Sequence, residues 1–187
     1  FIPKILDCLY DHINVDFTGY KYTTVNRRIH RRMSLLNYTK MEDYYLYLRK
    51  KNEEAPILAK ELLIGVTRFF RDEEAFEVLK NKVIPKLVED NFESKTIRVW
   101  VTACSTGEEA YSIAILIKDY LRNNKLQFDV TIFATDLDKD AIKLAGNRIF
   151  PESINSEIPQ EYFNTYFIPQ RSGYAIAKEI REMIVFS

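Results

Sequence analysis

The residues best suited to chemistry sit in three short stretches of the chain. Cys104-Ser-Thr-Gly-Glu-Glu109 follows a β-branched run and opens a helical pattern. A turn that cradles a diphosphate needs backbone approach at several points, usually through three glycines, whereas Gly107 is the single glycine here. Phosphate also favours bare amides and positive charge at a helix start, and Glu108 and Glu109 supply the opposite. The turn therefore suits a ligand with a positive group, such as the ammonium and sulfonium of S-adenosylmethionine. Acidic residues also open helices through the dipole alone, so both readings stand for this turn in isolation. Asp136 ends a second β-branched run; an acidic side chain there can accept two ribose hydroxyls or merely cap the next helix. In Thr67-Arg-Phe-Phe-Arg71, preceded by Gly65, two phenylalanines can anchor a segment while Thr67 and Arg71 point elsewhere together, making it a candidate cleft wall or simply a core aromatic pair.

A fourth stretch is basic. Lys21 to Lys40 holds six positive residues and no acidic one. Arg27, Arg28, Arg31 and Arg32 fall on one helix face, where an acidic protein helix or nucleic acid can dock, or where charge is simply solvated. Across the whole chain 27 Lys and Arg balance 27 Asp and Glu, so recognition by charge must be local.

These residues need elements to position them. The 187 residues, 47% hydrophobic and 29% charged, allow one domain or two small ones and exclude a disordered or fibrous chain. Two cysteines, 96 positions apart, and two histidines leave little basis for structural zinc. With no signal-like opening segment, the cytosol is the expected compartment. Up to about Glu89 the pattern is helical: Pro3 with Ile2, Ile5, Leu6, Leu9 and Ile13; a Thr39/Glu42 capping box; a helix from Pro56 to Leu63; and one after Asp72 with Phe76, Leu79, Val83 and Leu87 on one face. After Asn91 the order is strand (97–103), helix (108–121), strand (128–134), helix (140–145), which predicts a right-handed parallel βαβ unit. Short aromatic and β-branched runs from Tyr162 to Phe186 predict a small antiparallel element, with Met183 to Ser187 a terminal strand. The expected organisation is α/β: an all-α helical domain with a linker helix over 1–91, then a parallel α/β domain over 92–187 with an antiparallel subdomain at about 160–187.

In order, Thr67-Arg-Phe-Phe-Arg71, Arg98-Val-Trp100, Cys104 to Ser112, Phe133-Ala-Thr-Asp-Leu137, and Tyr162-Phe163 leading to Arg181-Glu-Met-Ile-Val-Phe186 resemble the chemotaxis receptor glutamate methyltransferase (CheR) family nearly from end to end. Leu62 to Asp72 looks most like members fused to a CheB-type methylesterase and PAS sensory segments. The resemblance implies that the second domain is the first part of a Rossmann-like S-adenosylmethionine-dependent methyltransferase domain. It also implies transfer of a methyl group from S-adenosylmethionine to glutamates of methyl-accepting chemotaxis receptors, leaving S-adenosylhomocysteine, with no metal. It places Thr67 and Arg71 at the cofactor and substrate cleft, with Arg71 as the catalytic candidate. Glu109, with Glu108 as the neighbouring alternative, takes the methionyl ammonium, and Asp136 the ribose. Gly65 stands where members often carry Asn, and Gly107 marks the cofactor turn. Arg27, Arg28, Arg31 and Arg32 become the receptor-docking face. The family's later segment, with its Cys-Arg-Asn type motif, is expected beyond Ser187. The competing functions are a non-catalytic adenosyl-binding or scaffold module, and a nucleic-acid methyltransferase. An Asn-Pro-Pro-Tyr type base-flipping motif is absent from this sequence, which disfavours the latter.

Overall fold

Apolar residues at helical spacing give the first unit its core. The computed structural model describes residues 1–63, 65, 67–147 and 149–187, apart from the Asn147 side chain; Ile64 and Val66, within the Leu62 to Asp72 resemblance, lie outside the described residues. The chain forms two compact units, Phe1–Ile64 and Gly65–Ser187. In the first, α1 (Ile2–Ile13) begins with a proline in its opening turn and buries Ile2, Ile5, Leu6 and Leu9. It packs on α3 (Met41–Lys50) and α4 (Glu54–Leu62), and α4 packs on α2 (Tyr22–Leu35). The expected Thr39/Glu42 capping box does not form. Lys40 is the residue before α3, and no side-chain bond caps the helix.

The second unit starts earlier than the change of sequence period indicates. Helices α5 (Glu73–Val78) and α6 (Ile84–Asp90) are joined by a π-helical turn, Leu79–Val83. They share a core with the strands that follow, so the boundary falls at 64/65 rather than 91/92. The wider turn also shifts the helix phase. Phe76, Leu79 and Leu87 face the core as expected, but Val83 is exposed and Ile84 and Val88 are buried.

Strand β1 (Thr96–Thr102) leads through the Cys104–Gly107 turn into α7 (Glu108–Asn123) and back to β2 (Asp129–Thr135). β1 and β2 pair in parallel with Thr96 opposite Asp129 and Thr102 opposite Thr135, the βαβ pairing that the alternation of strand and helix predicts. After α8 (Lys139–Asn147) and α9 (Gln160–Tyr166), β3 (Phe167–Gln170) and β4 (Gly173–Ile176) form the expected antiparallel hairpin. At Gly173, φ is 139° and an added Cβ would run into the Phe150 carbonyl, because the two backbones bridge there. Beyond α10 (Lys178–Arg181), β5 (Ile184–Phe186) leaves the antiparallel element. It joins the main sheet parallel to β2, giving the order β1, β2, β5. The expected 160–187 subdomain thus ends before β5.

Register brings the candidate turns to one end of the sheet. Thr102, Thr135 and Phe186 all lie at the carboxyl ends of parallel strands, the end at which open α/β sheets bind ligands. Ile97 and Val101 of β1 and Ile132 and Ala134 of β2 share a core with Ala110, Ala114 and Ile115 of α7. This packing holds the turn before α7 against the ends of all three strands.

Candidate cofactor site at the carboxyl ends of the strands

The turn after β1 is tied to the turn after β2 by one carboxylate. The Ser105 N–H donates to Asp136 Oδ2 at 2.7 Å, and the Asp138 N–H to Oδ1 at 2.8 Å. Each oxygen keeps acceptor capacity, so two neighbouring hydroxyls can still be received. Asp136 is half-buried. Backbone bonds lock the same joint: Cys104 N–H to the Thr135 carbonyl at 3.0 Å, and Ser187 N–H to the Ala134 carbonyl at 3.0 Å. Trp100 Nε1 donates to Thr135 Oγ1 at 3.1 Å.

The turn has an unusual backbone. Ala103, Ser105 and Gly107 have φ of 55°, 49° and 93°, and only the glycine adopts such a value freely. An added Cβ at Gly107 would lie 3.0 Å from the Phe186 ring and 3.1 Å from Ala145 Cβ. Both conformation and space therefore call for glycine, and the end of β5 supports the turn. Phe70 and Asp72, in the other candidate stretch, also have positive φ, 47° and 53°. Four non-glycine residues in this region of φ thus flank the candidate site, a pattern associated with functional sites.

The Thr67–Arg71 segment is anchored to α7. Phe70 N–H donates to Ser112 Oγ at 3.1 Å, which donates in turn to the Glu108 carbonyl at 2.7 Å. Phe69 packs edge-on to Phe150 and Phe167, and Phe70 stacks on Tyr162. Thr67 is half-buried and Arg71 is exposed. Gly65 borders the turn itself, since a Cβ added to it would stand 3.0 Å from Ser105 Oγ.

The paired glutamates part company. Glu108 is buried, 5% exposed, and accepts a 2.7 Å bond from Thr106 Oγ1, while Glu109 is exposed. Their field is visible on Cys104. Burial first, then the charges of Asp136, Glu109 and Glu108, push this thiol from its ordinary 9.0 up to about 11. Negative potential at the turn disfavours any further anion and favours a cation. Among the described residues no cluster that could hold a metal ion is found. A cavity of about 480 Å³ lined by Leu121, Phe128, Asp129 and Met183 opens at the other end of β2, away from these groups.

The structure brings together Gly65, Gly107, Glu108 and Asp136, with Thr67 and Arg71 on the anchored segment, and adds Ser105, Ser112 and Phe186. Sequence reasoning passed over those three. Ser112 carries the weak signal of a hydroxyl one helical turn beyond Glu108, and the others carry none.

The basic face lies in the first unit and is partly neutralised there. Arg32 is not free to dock a partner: it forks onto buried Glu54 through Nε and an Nη at 2.7 and 2.9 Å, and Tyr44 donates to the same carboxylate at 2.9 Å. Arg31 lies 3.6 Å from Glu61. Arg27 is exposed, and the Nε of half-buried Arg28 has no hydrogen-bond partner among the described residues.

Comparison with known proteins follows the same division. Residues 2–63 match the family described as CheR methyltransferase, all-alpha domain, and 65–187 that described as CheR methyltransferase, SAM binding domain. A chemotaxis protein methyltransferase of Borreliella burgdorferi is 27% identical over 99% of the chain, which covers 67% of that protein. Chemotaxis protein methyltransferase 2 of Vibrio cholerae is 28% identical over 98% of the chain and 64% of its own length. An uncharacterized 104.1 kDa protein of Rhodobacter capsulatus is 37% identical over the whole chain, which spans only 20% of it. The chain thus corresponds to about two thirds of the two methyltransferases and a fifth of the larger protein, and it belongs to the CheR methyltransferase family.

Proposed function

We propose that the protein binds S-adenosylmethionine at the carboxyl ends of β1 and β2 and methylates glutamate side chains of chemotaxis receptors. The observation that carries the reading is the single acidic clamp, Asp136, closing a turn with one glycine whose field is negative. This donor set fits an adenosyl ligand with a cationic amino-acid end and does not fit a dinucleotide. When bound, the cofactor supplies an electrophilic methyl group. Asp136 receives the ribose hydroxyls. Glu109, the exposed member of the pair, meets the ammonium, while Glu108 holds the turn through Thr106.

The rest of the chemistry asks little of side chains. A glutamate with a pKa near 4.3 is already a nucleophile at neutral pH, so no base or cysteine nucleophile is needed. The protein must place the carboxylate in line and strip part of its water. Thr67 and Arg71 serve this role on the segment that Phe69 and Phe70 anchor, with Arg71 the catalytic candidate. Arg27, Arg28 and Arg31 remain as docking cations for acidic receptor helices. The large Rhodobacter relative supports a multidomain setting, in which CheB-like and PAS segments are the proposed neighbours.

Arg71→Ala should abolish methyl transfer while the protein keeps its circular dichroism spectrum; methylation at the wild-type rate would remove Arg71 from the mechanism. Binding of S-adenosylmethionine without transfer by the wild-type protein supports the scaffold function instead.

A further inference from the structure

Within the turn after β1, the Ser105 hydroxyl stands out. Ser105 is 9% exposed, and its Oγ is buried with no hydrogen-bond partner among the described residues. A hydroxyl withdrawn from water and left unpaired is unfavourable. The residue bears a second penalty in its backbone, at φ 49°. Its N–H holds Asp136, so the main chain performs the structural bond and the side chain performs none. Alanine would serve the fold as well or better. The hydroxyl is directed toward Gly65, since a Cβ on that residue would stand 3.0 Å from it. Gly65 leads into the segment carrying Thr67 and Arg71.

We propose that Ser105 Oγ is a cofactor contact, bonding a polar atom of the ligand's amino-acid end, and that Gly65 keeps the space beside it clear. This deepens the S-adenosylmethionine reading and rests on it. The assignment to the amino-acid end follows from the division of labour within the turn. The ribose side is set by Asp136, held by the Ser105 N–H, while the hydroxyl addresses the stretch that leads to Arg71. A side chain at position 65 would press on the hydroxyl and displace it from its ligand.

Calorimetry on the full chain, with S-adenosylmethionine, S-adenosylhomocysteine and 5′-methylthioadenosine, tests this. The last ligand keeps the adenosine and lacks the amino-acid end. Ser105→Ala should weaken the first two by roughly fivefold to tenfold and leave 5′-methylthioadenosine unchanged. Gly65→Ala should give the same selective loss. Without ligand, Ser105→Ala should melt at the wild-type temperature or above it, because an unpaired hydroxyl has been removed. A lower ligand-free melting temperature makes the serine structural and overturns the proposal. So does an unchanged affinity for all three ligands, or an equal loss on 5′-methylthioadenosine. A wild-type protein that binds none of the three overturns the cofactor reading itself, whereas wild-type binding with an unaffected Ser105→Ala overturns only this contact.

Discussion

Gly107→Ala probes the cofactor turn through its backbone. At φ 93° the glycine occupies a region where an L-residue loses about 1–2 kcal/mol. The new Cβ would also sit 3.0 Å from two Phe186 ring atoms and 3.1 Å from Ala145 Cβ. Phe186 belongs to a paired strand and Ala145 is fully buried, so neither yields freely, and overpacking of this kind costs about 1–3 kcal/mol. Together the substitution should destabilise the protein by about 3 kcal/mol, which for a chain of this size lowers the melting temperature on the order of 10 °C. Gly146→Ala is the control. That glycine lies in α8 with none of the described residues within 4 Å of an added Cβ, and the change should stabilise by about 0.5–1 kcal/mol. Thermal denaturation followed by far-UV circular dichroism reads both. Equal melting temperatures for Gly107→Ala and wild type would refute the claim that the turn is built on this glycine.

Asp136→Ala removes the clamp and the ribose acceptor together; charged hydrogen bonds contribute about 1.5–3 kcal/mol, so calorimetry should show S-adenosylmethionine binding weakened at least tenfold. Arg32→Ala strands the Glu54 carboxylate, which is 2% exposed in its side chain, and should destabilise the first unit by about 3–5 kcal/mol in urea titration. Reversing the charge of Arg28 and Arg31 should reduce sedimentation with receptor-containing membranes while cofactor affinity stays near wild type; the opposite pattern would take these residues out of docking. Cys104 gives a pH test. Its pKa is raised on folding from 9.0 to about 11, so the folded protein holds a proton that the unfolded chain releases above pH 9. Its contribution is complete below pH 9 and is lost as pH rises toward 11. Cys104→Ala should flatten the fall in melting temperature across that window, and an unaltered slope would contradict the assignment.

Where sequence and structure agree, the signal is local. The β-branched runs around Val99 and Ile132 alternate or lie next to turns, so strand, turn and helix could be placed to within two residues. Where they differ, the cause is tertiary. The period of the helix after Asp72 does not record which unit it packs on, and one π-helical turn was enough to exchange Val83 for Ile84 in the core. Arg32 looked like its exposed neighbours until Glu54, 22 positions away, was brought beside it. β5 has three residues, too few to reveal whether they pair in parallel with β2 or antiparallel with the preceding hairpin. At the candidate site, residue types led to the expectations of a positive ligand group from Glu108 and Glu109 and of a ribose acceptor from Asp136. The division between the buried and exposed glutamate, and the unpaired Ser105 hydroxyl, depend on side-chain directions that no spacing encodes.

Methyl transfer to receptor-containing membranes, with S-adenosylmethionine labelled in its methyl group, tests the central claim most directly. A carboxyl methyl ester is released by mild alkali, unlike a methylated amine. The wild-type protein should label the receptors in alkali-labile form, and Asp136→Ala should label them at least about tenfold more slowly at sub-saturating cofactor. No label despite measured cofactor binding, or a label stable to alkali, would contradict glutamate methylation.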